Sequence, residues 1–118
     1  VSTTKGKTME TQEYNGWTNR ETWATMLHID NDEGLQETIY EMARNTVRDF
    51  DGEPDSNDGL WTLEESVKEF IENVLDYPNV QANYGAFLML TDIGSLYRVN
   101  WREIAESLLQ NARENVNA

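Results

Sequence analysis

The sequence predicts an all-α protein, a compact bundle of about five helices. Four helix-start signals support this fold class, each followed by apolar residues at helical spacing: capping boxes at Thr18 and Thr62, and N-cap side chains at Asp32 and Asn100. A strongly apolar segment at residues 82–94 is a candidate for the centre of the bundle. A chain of 118 residues can bury about two-thirds of its unfolded surface in one domain.

The ten residues from Tyr14 to Trp23 contain a predicted turn and the predicted start of the first helix. Gly16 is expected in a turn, since glycine adopts positive φ without steric cost. In the capping box that follows, the Thr18 hydroxyl would accept a hydrogen bond from the Glu21 backbone N–H, and the Glu21 carboxylate would accept one from Thr18 N–H. The helix is expected over about 19–29. We expect Trp23 to be a core anchor and to begin an apolar face that continues with Met26 and Leu27.

Two further helices are expected in the middle of the chain. Asp32 should cap a helix over 33–49, in which apolar residues recur at helical spacing. The capping box of Thr62 and Glu65 should begin a helix over 63–75. Pro78 should then end it, because the residue before a proline is biased away from helix.

The last third of the chain contains two more predicted helices. Residues 82–94 are apolar almost all round, so we expect a central helix packed on several sides. A buried strand at 86–90 is the alternative, because short apolar runs fit both structures. Asn100 should cap a fifth helix, which frays near residue 115.

The domain organisation is expected to be simple. Residues 1–13 show no apolar periodicity and are predicted to be a disordered leader, and residues 14–115 a single helical domain. No run approaches the roughly 20 apolar residues of a membrane-spanning helix. The chain has no cysteine, which removes disulfides and thiolate metal ligands and fits a cytoplasmic protein.

Three motifs resemble a known family. They are Asn15-Gly16-Trp17-Thr18-Asn19-Arg20-Glu21-Thr22-Trp23, then Ile29-Asp30-Asn31-Asp32, and far downstream Val99-Asn100-Trp101-Arg102-Glu103-Ile104-Ala105-Glu106. The chain resembles small proteins encoded mostly by bacteriophages, grouped as a domain of unknown function. The resemblance implies a viral origin and a compact domain, and it brings no active site.

Charge is the compositional feature that departs most from an average protein. Nine basic and 22 acidic residues give a formal net charge of −13 on 13.6 kDa. Residues 30–76 contain fifteen acids and three bases, and therefore carry −12 of this charge. Such a field repels nucleic acid and anionic membranes and attracts basic surfaces. Direct binding of DNA or RNA is therefore not expected.

Catalysis finds little support in the sequence, and we expect a protein that is not an enzyme and needs no cofactor. There is one histidine, His28, which lies beside the apolar face of its helix and is expected to be a structural or surface residue. No phosphate-binding loop and no histidine or thiolate cluster for a metal is present. The acidic connection 51–59 invites a calcium site, but Ser56 and Thr62 stand where an EF-hand needs glycine and glutamate.

A column of carboxylates is the clearest candidate for a functional surface. Residues 65, 69, 72 and 76 step by four, three and four, which places four acids on one face of the third predicted helix. Like charges at this spacing destabilise a helix by roughly 0.2–0.5 kcal/mol per pair. Acids of the neighbouring loop could extend this surface. The predicted partner-binding residues are Glu65, Glu69, Glu72, Asp76, Asp51, Glu53, Asp55 and Asp58.

Together these features predict a cytoplasmic phage-type protein that binds a host protein with a basic groove. A row of negative charges one helical turn apart resembles the phosphates of a nucleic-acid strand, so the protein would act as a nucleic-acid mimic and inhibitor. The simpler interpretation is a solvated face that keeps the protein soluble. The alternative function is a non-catalytic assembly module, with a homodimer left open, in which exposed aromatics form the contact: Tyr40, Tyr77 and Tyr97.

Overall fold

The computed structural model describes residues 14–50 and 57–116, and within these ranges the fold is all helical, as predicted. The helices are α1 Arg20–Asn31, α2 Glu33–Asp49, α3 Asn57–Val74, α4 Tyr77–Ala82, α5 Tyr84–Ile93 and α6 Trp101–Val116, with a 3₁₀ turn at Leu96–Arg98. The predicted leader at residues 1–13 and the acidic loop residues 51–56 lie outside the described residues.

Helices α2, α3 and α6 pack against one another and form the main core. Helix α1 packs on α2 and α5, and α4 packs on α5 and α3. Fully buried aliphatic side chains fill the space between these helices: Ile29, Ile39, Leu63, Val67, Ile71, Ile104 and Leu109. Each of the three core helices has neighbours on several sides: α2 also contacts α1, α3 also contacts α4, and α6 also contacts α1.

The apolar segment 82–94 forms a helix but not the central one. A break at Asn83 divides it, and α5 then buries one narrow stripe of Ala86, Met89 and Ile93. Its principal neighbours among the described elements are α1 and α4, and Tyr84, Phe87 and Leu88 are exposed on the rest of its surface. Composition showed that the segment is apolar; it did not show that only the short helix α4 covers its second side. The alternative of a strand at 86–90 is wrong.

Two of the predicted N-caps are confirmed. The Asp32 carboxylate accepts from the Leu35 backbone N–H at 3.0 Å and begins α2. The Asn100 side chain accepts from the Glu103 backbone N–H at 3.1 Å and begins α6. Each cap satisfies a backbone donor that has no partner within its own helix.

The capping box predicted at Thr18 is wrong by one residue. Asn19 is the N-cap of α1, and its Oδ1 accepts from Thr22 N–H at 2.9 Å. The Thr18 N–H instead donates to the Glu103 carboxylate at 3.0 Å. Glu21 pairs with Arg98, at 3.2 Å. Partners distant in sequence therefore replace the local reciprocal bonds of the predicted box.

The capping box predicted at Thr62 is also wrong, because α3 begins at Asn57. Thr62 lies inside the helix, and its hydroxyl donates to the Asp58 carbonyl at 2.8 Å, as serine and threonine commonly do within helices. Leu60 is buried and extends the apolar stripe one turn before Leu63. The end of α3 at Val74 agrees with the prediction to within one residue.

The buried face of α1 differs from the predicted one. Trp23 is only half-buried, and its ring contacts that of Tyr14 at a centroid distance of 4.9 Å. Leu27 is exposed. The residues of α1 that are buried are Thr22, Ala24, Thr25, Met26 and Ile29, because α1 packs mainly on α2 and α5. Thr22 also contacts the segment before α6.

The turn before α1 follows the prediction. Asn15 and Gly16 both have positive φ, 51° and 92°, and the backbones of Tyr14 and Trp17 exchange hydrogen bonds of 2.7 and 2.9 Å across them. An Asn-Gly pair with positive φ at both residues is typical of a tight reversal of the chain. This reversal brings the Tyr14 ring back onto Trp23.

The first and last of the three sequence motifs meet at one junction between α1 and α6. The Asn19 side chain donates to the Arg98 carbonyl at 2.8 Å, and the Asn100 side chain donates to the Thr18 hydroxyl at 3.3 Å. The motif residues are thus used to join helices that are distant in sequence. Their role in this structure is to hold the fold together.

Candidate interaction surfaces

The predicted carboxylate column lies mostly on the outer face of α3. Glu65, Glu69 and Glu72 are all exposed, on the side opposite the buried Leu63, Val67 and Ile71. Asp58, two helical turns before Glu65, is exposed on the same face. We call Asp58, Glu65, Glu69 and Glu72 the acidic strip. Three other predicted site residues, Asp51, Glu53 and Asp55, lie outside the described residues.

Asp76 does not belong to this strip, since α3 ends at Val74. Its carboxylate accepts from the Tyr77 backbone N–H at 2.9 Å and caps α4. The spacing of four from Glu72 suggested a continuing helix, but the chain turns between the two residues. Asp76 is exposed and stands at the junction of α3 and α4.

The charge of the strip is not neutralised by ion pairs within residues 14–50 and 57–116. On α3 the acid that does have a basic partner is Glu64, whose Oε1 lies 2.8 Å from Arg102 Nε. Glu64 faces α6, whereas its neighbour Glu65 faces solvent. Glu64 therefore helps to join α3 to α6, whereas the four acids of the strip are exposed to solvent.

Trp61 lies within the acidic strip, a feature that the sequence reasoning missed. It is 58% exposed and stands one turn before Glu65 on the same face. The predicted start of α3 at residue 63 had placed Trp61 ahead of the helix. A large exposed aromatic between carboxylates offers apolar contact and a face for a cation.

A second surface is formed by α4 and α5. A groove of about 590 Å³ lies between these helices and is lined by Tyr77, Val80, Gln81, Ala82, Tyr84 and Phe87. Tyr77 and Tyr84 are 71% and 73% exposed, and the Tyr84 and Phe87 rings stack at 6.2 Å. We call this the aromatic groove. Its walls are ordered by local bonds, among them that from the Gln81 amide to the Tyr77 hydroxyl at 2.9 Å.

The three tyrosines predicted to form one aromatic patch do not line one common groove. Tyr77 lines the aromatic groove, whereas Tyr97 is almost fully exposed on the 3₁₀ turn and does not line it. The Tyr40 hydroxyl donates to the Asp30 carboxylate at 2.8 Å. Burial, together with this hydrogen bond and the negative charge of Asp30, raises the pKa of Tyr40 to about 12. Tyr40 is therefore engaged in joining α1 to α2.

His28 belongs to a small charged cluster between α1 and α5. Asp92 lies 2.9 Å from His28 Nε2 and 2.9 Å from the Arg20 guanidinium. Both partners of Asp92 lie on α1, so the cluster fastens α5 to α1. This geometry agrees with the structural role expected for the histidine.

The described residues contain no group of three or more His, Asp or Glu side chains placed to hold a metal ion. None of the described helices is both long and apolar enough to cross a bilayer.

The fold and its surfaces define an all-α protein with an acidic strip on α3 and an aromatic groove between α4 and α5. Residues 10–105 match the model of a family of unknown function, DUF7249. The match covers most of the chain, so the chain belongs to this family. No curated protein and no solved structure shows a significant match.

Proposed function

We propose that this protein is a non-catalytic, phage-type binding protein whose acidic strip occupies a basic groove of a host nucleic-acid-binding protein. The proposal rests on one observation above all: the strip is exposed and has no ion-pair partner within the described part of the chain. It would act in the cytoplasm of the infected cell as a mimic of nucleic acid and thereby as an inhibitor.

The dimensions of the strip support this proposal. From Asp58 to Glu72 the helix rises about 21 Å, at 1.5 Å per residue. A single strand of a DNA duplex places about six phosphates over that length. The strip thus offers four carboxylates over a comparable length, on a helix whose backbone is already ordered before binding.

Energetics favour a functional surface over a merely soluble one. Neighbouring carboxylates on one helix face cost roughly 0.2–0.5 kcal/mol per pair. Solubility requires net charge, and dispersed acids would supply it without this cost. Trp61 within the strip adds apolar area that solubility would not call for.

A salt-resolved capture experiment tests the proposal. The protein is immobilised, bacterial host extract is passed over it at low and high ionic strength, and captured proteins are challenged with duplex DNA. We expect capture of a nucleic-acid-binding protein that salt weakens and DNA reverses, because both compete with the carboxylates. If the captured protein binds DNA and this protein simultaneously, mimicry is excluded.

A matched pair of variants separates the strip from net charge. E65Q/E69Q/E72Q removes three charges from the strip, and E37Q/E41Q/E106Q removes three exposed charges elsewhere. The first should abolish capture and the second should preserve it. Equal loss in both would mean that the protein binds through net charge alone.

The aromatic groove supports a second candidate function, a non-catalytic assembly module. Its lining includes two tyrosines that are more than two-thirds exposed. Exposed aromatic side chains grouped in this way are typical of a surface that binds another protein. Contacts of this kind gain from apolar burial and are not weakened by salt screening. Salt therefore distinguishes the two functions.

A further inference from the structure

The aromatic groove lies in a stretch of the chain that lacks charge. Residues 77–91 include no Asp, Glu, Lys, Arg or His, in a chain with a net charge of −13. These fifteen residues form α4 and most of α5. Both helices that line the aromatic groove therefore lack charged side chains up to residue 91.

The aromatic groove combines exposed aromatic side chains with a concave space beside them. Tyr77 and Tyr84 project, at 71% and 73% exposure, and Phe87 is 47% exposed beside them. Between α4 and α5 the groove of about 590 Å³ is large enough to receive an aromatic side chain. A two-fold contact needs such a patch, since each copy must offer what the other accepts.

We propose that the aromatic groove binds a second copy of this chain as a two-fold homodimer. The inference deepens the assembly alternative by naming its partner, and it does not depend on the acidic strip. Charge argues for a second copy: two molecules of −13 repel wherever acids face each other, and residues 77–91 avoid that repulsion.

The charged residues at the borders of this surface are compatible with such a contact. Asp92, at one end, is paired with Arg20 and lies against His28. Asp76, at the other end, accepts from the Tyr77 backbone N–H. A charged partner would gain little at such a surface, because it presents no opposite charge to pair with.

The area is sufficient for a weak specific dimer. With roughly 200 Å² for a whole aromatic side chain, the exposed parts of Tyr77, Tyr84 and Phe87 amount to about 400 Å² per copy. Two copies, with Val80 from the groove lining and the adjacent Leu88 included, approach the roughly 1,000 Å² that specific interfaces need. We therefore expect a dimer that dissociates on dilution.

Sedimentation velocity over a range of concentrations tests this inference. The parent should show a reversible monomer–dimer equilibrium that strengthens with salt, because salt screens the repulsion between two chains of −13. Tyr84→Glu should raise the dimer dissociation constant more than about tenfold, since the two-fold axis brings two new carboxylates into the interface, one from each copy. Glutamate suits the first turn of α5, so the helix should remain formed.

Tyr97→Glu is the matched control, because it makes the same substitution at a tyrosine that is 97% exposed and does not line the groove. It should leave the dissociation constant unchanged, and circular dichroism should show both variants folded. A parent that stays monomeric at every concentration overturns the inference, as does equal weakening by the two variants. Neither result bears on salt-sensitive capture by the acidic strip, which is measured separately.

Discussion

The Thr22 hydroxyl accepts a hydrogen bond from the Asn100 backbone N–H at 2.8 Å, across 78 residues of sequence. The same hydroxyl donates to Asn19 Oδ1 at 2.7 Å, within the cap of α1. Thr22 is fully buried, so both bonds are sheltered from water. One side chain thereby ties the start of α1 to the residue that caps α6.

Thr22→Val should lower the free energy of unfolding by about 1–3 kcal/mol, the usual cost of a buried donor left without its acceptor. Valine keeps the shape, so the loss isolates the hydrogen bonds. Thr25→Val is the control: Thr25 is equally buried, but its hydroxyl donates only to the Glu21 carbonyl of its own helix. Urea denaturation of both variants measures the difference, and equal losses would show that the α1–α6 bond contributes nothing specific.

The N-caps show how far the sequence could predict this fold. Asp32 and Asn100 cap where expected because their side-chain oxygens accept from backbone N–H groups only three residues away. At the start of α1, two neighbouring residues, Thr18 and Asn19, were both suitable caps. In the structure, Asn19 is the cap. Thr18 instead bonds to α6, and the Asn19 side chain also bonds to the Arg98 carbonyl. These partners come close only after folding, so the sequence could not show them.

Three tryptophans should rank by burial when each is replaced by alanine. Trp101 is buried against the core and should cost about 3–5 kcal/mol. Trp61, more than half exposed, should change stability by no more than about 0.5 kcal/mol. Trp23, half-buried against Tyr14, should fall between them. Thermal or urea denaturation gives the order, and a Trp61 variant as unstable as the Trp101 variant would contradict the position of Trp61 on the outer face of α3.

The raised pKa of Tyr40 predicts a loss of stability in alkali. The protonated phenol donates to Asp30, so its stabilising effect is complete below pH 10.0 and is lost as pH rises toward about 12. Phenolate absorbance should show a late titration step that Tyr40→Phe removes. Asp30→Asn should lower the pKa of Tyr40 only part of the way, because burial, the larger cause, remains. A late step that persists in Tyr40→Phe would assign it to another group.

The candidate surfaces were predictable to different degrees. Helical periodicity alone placed Glu65, Glu69 and Glu72 together, because an acid column opposite an apolar stripe needs only the helix. The same rule failed at Asp76, since the chain turns after Val74. The aromatic groove could not be predicted, because an apolar run such as residues 82–94 does not reveal which of its sides another helix will cover.

The final prediction concerns stability and binding at the acidic strip together. E65Q/E69Q/E72Q should unfold at the same temperature as the parent or slightly higher, since relief of like-charge pairs returns a few tenths of a kcal/mol each. Glu64→Gln, a change at the adjacent residue, should lower the melting temperature, because Glu64 pairs with Arg102 at 2.8 Å and is largely shielded from solvent. Calorimetry on the two variants measures these opposite shifts. A strip variant that gains stability and loses salt-sensitive capture would show that the carboxylates are kept for binding at a cost to the fold. A strip variant that loses stability would mean that these carboxylates have structural partners, and a variant that gains stability but still captures the same protein would leave the strip as a solvated face.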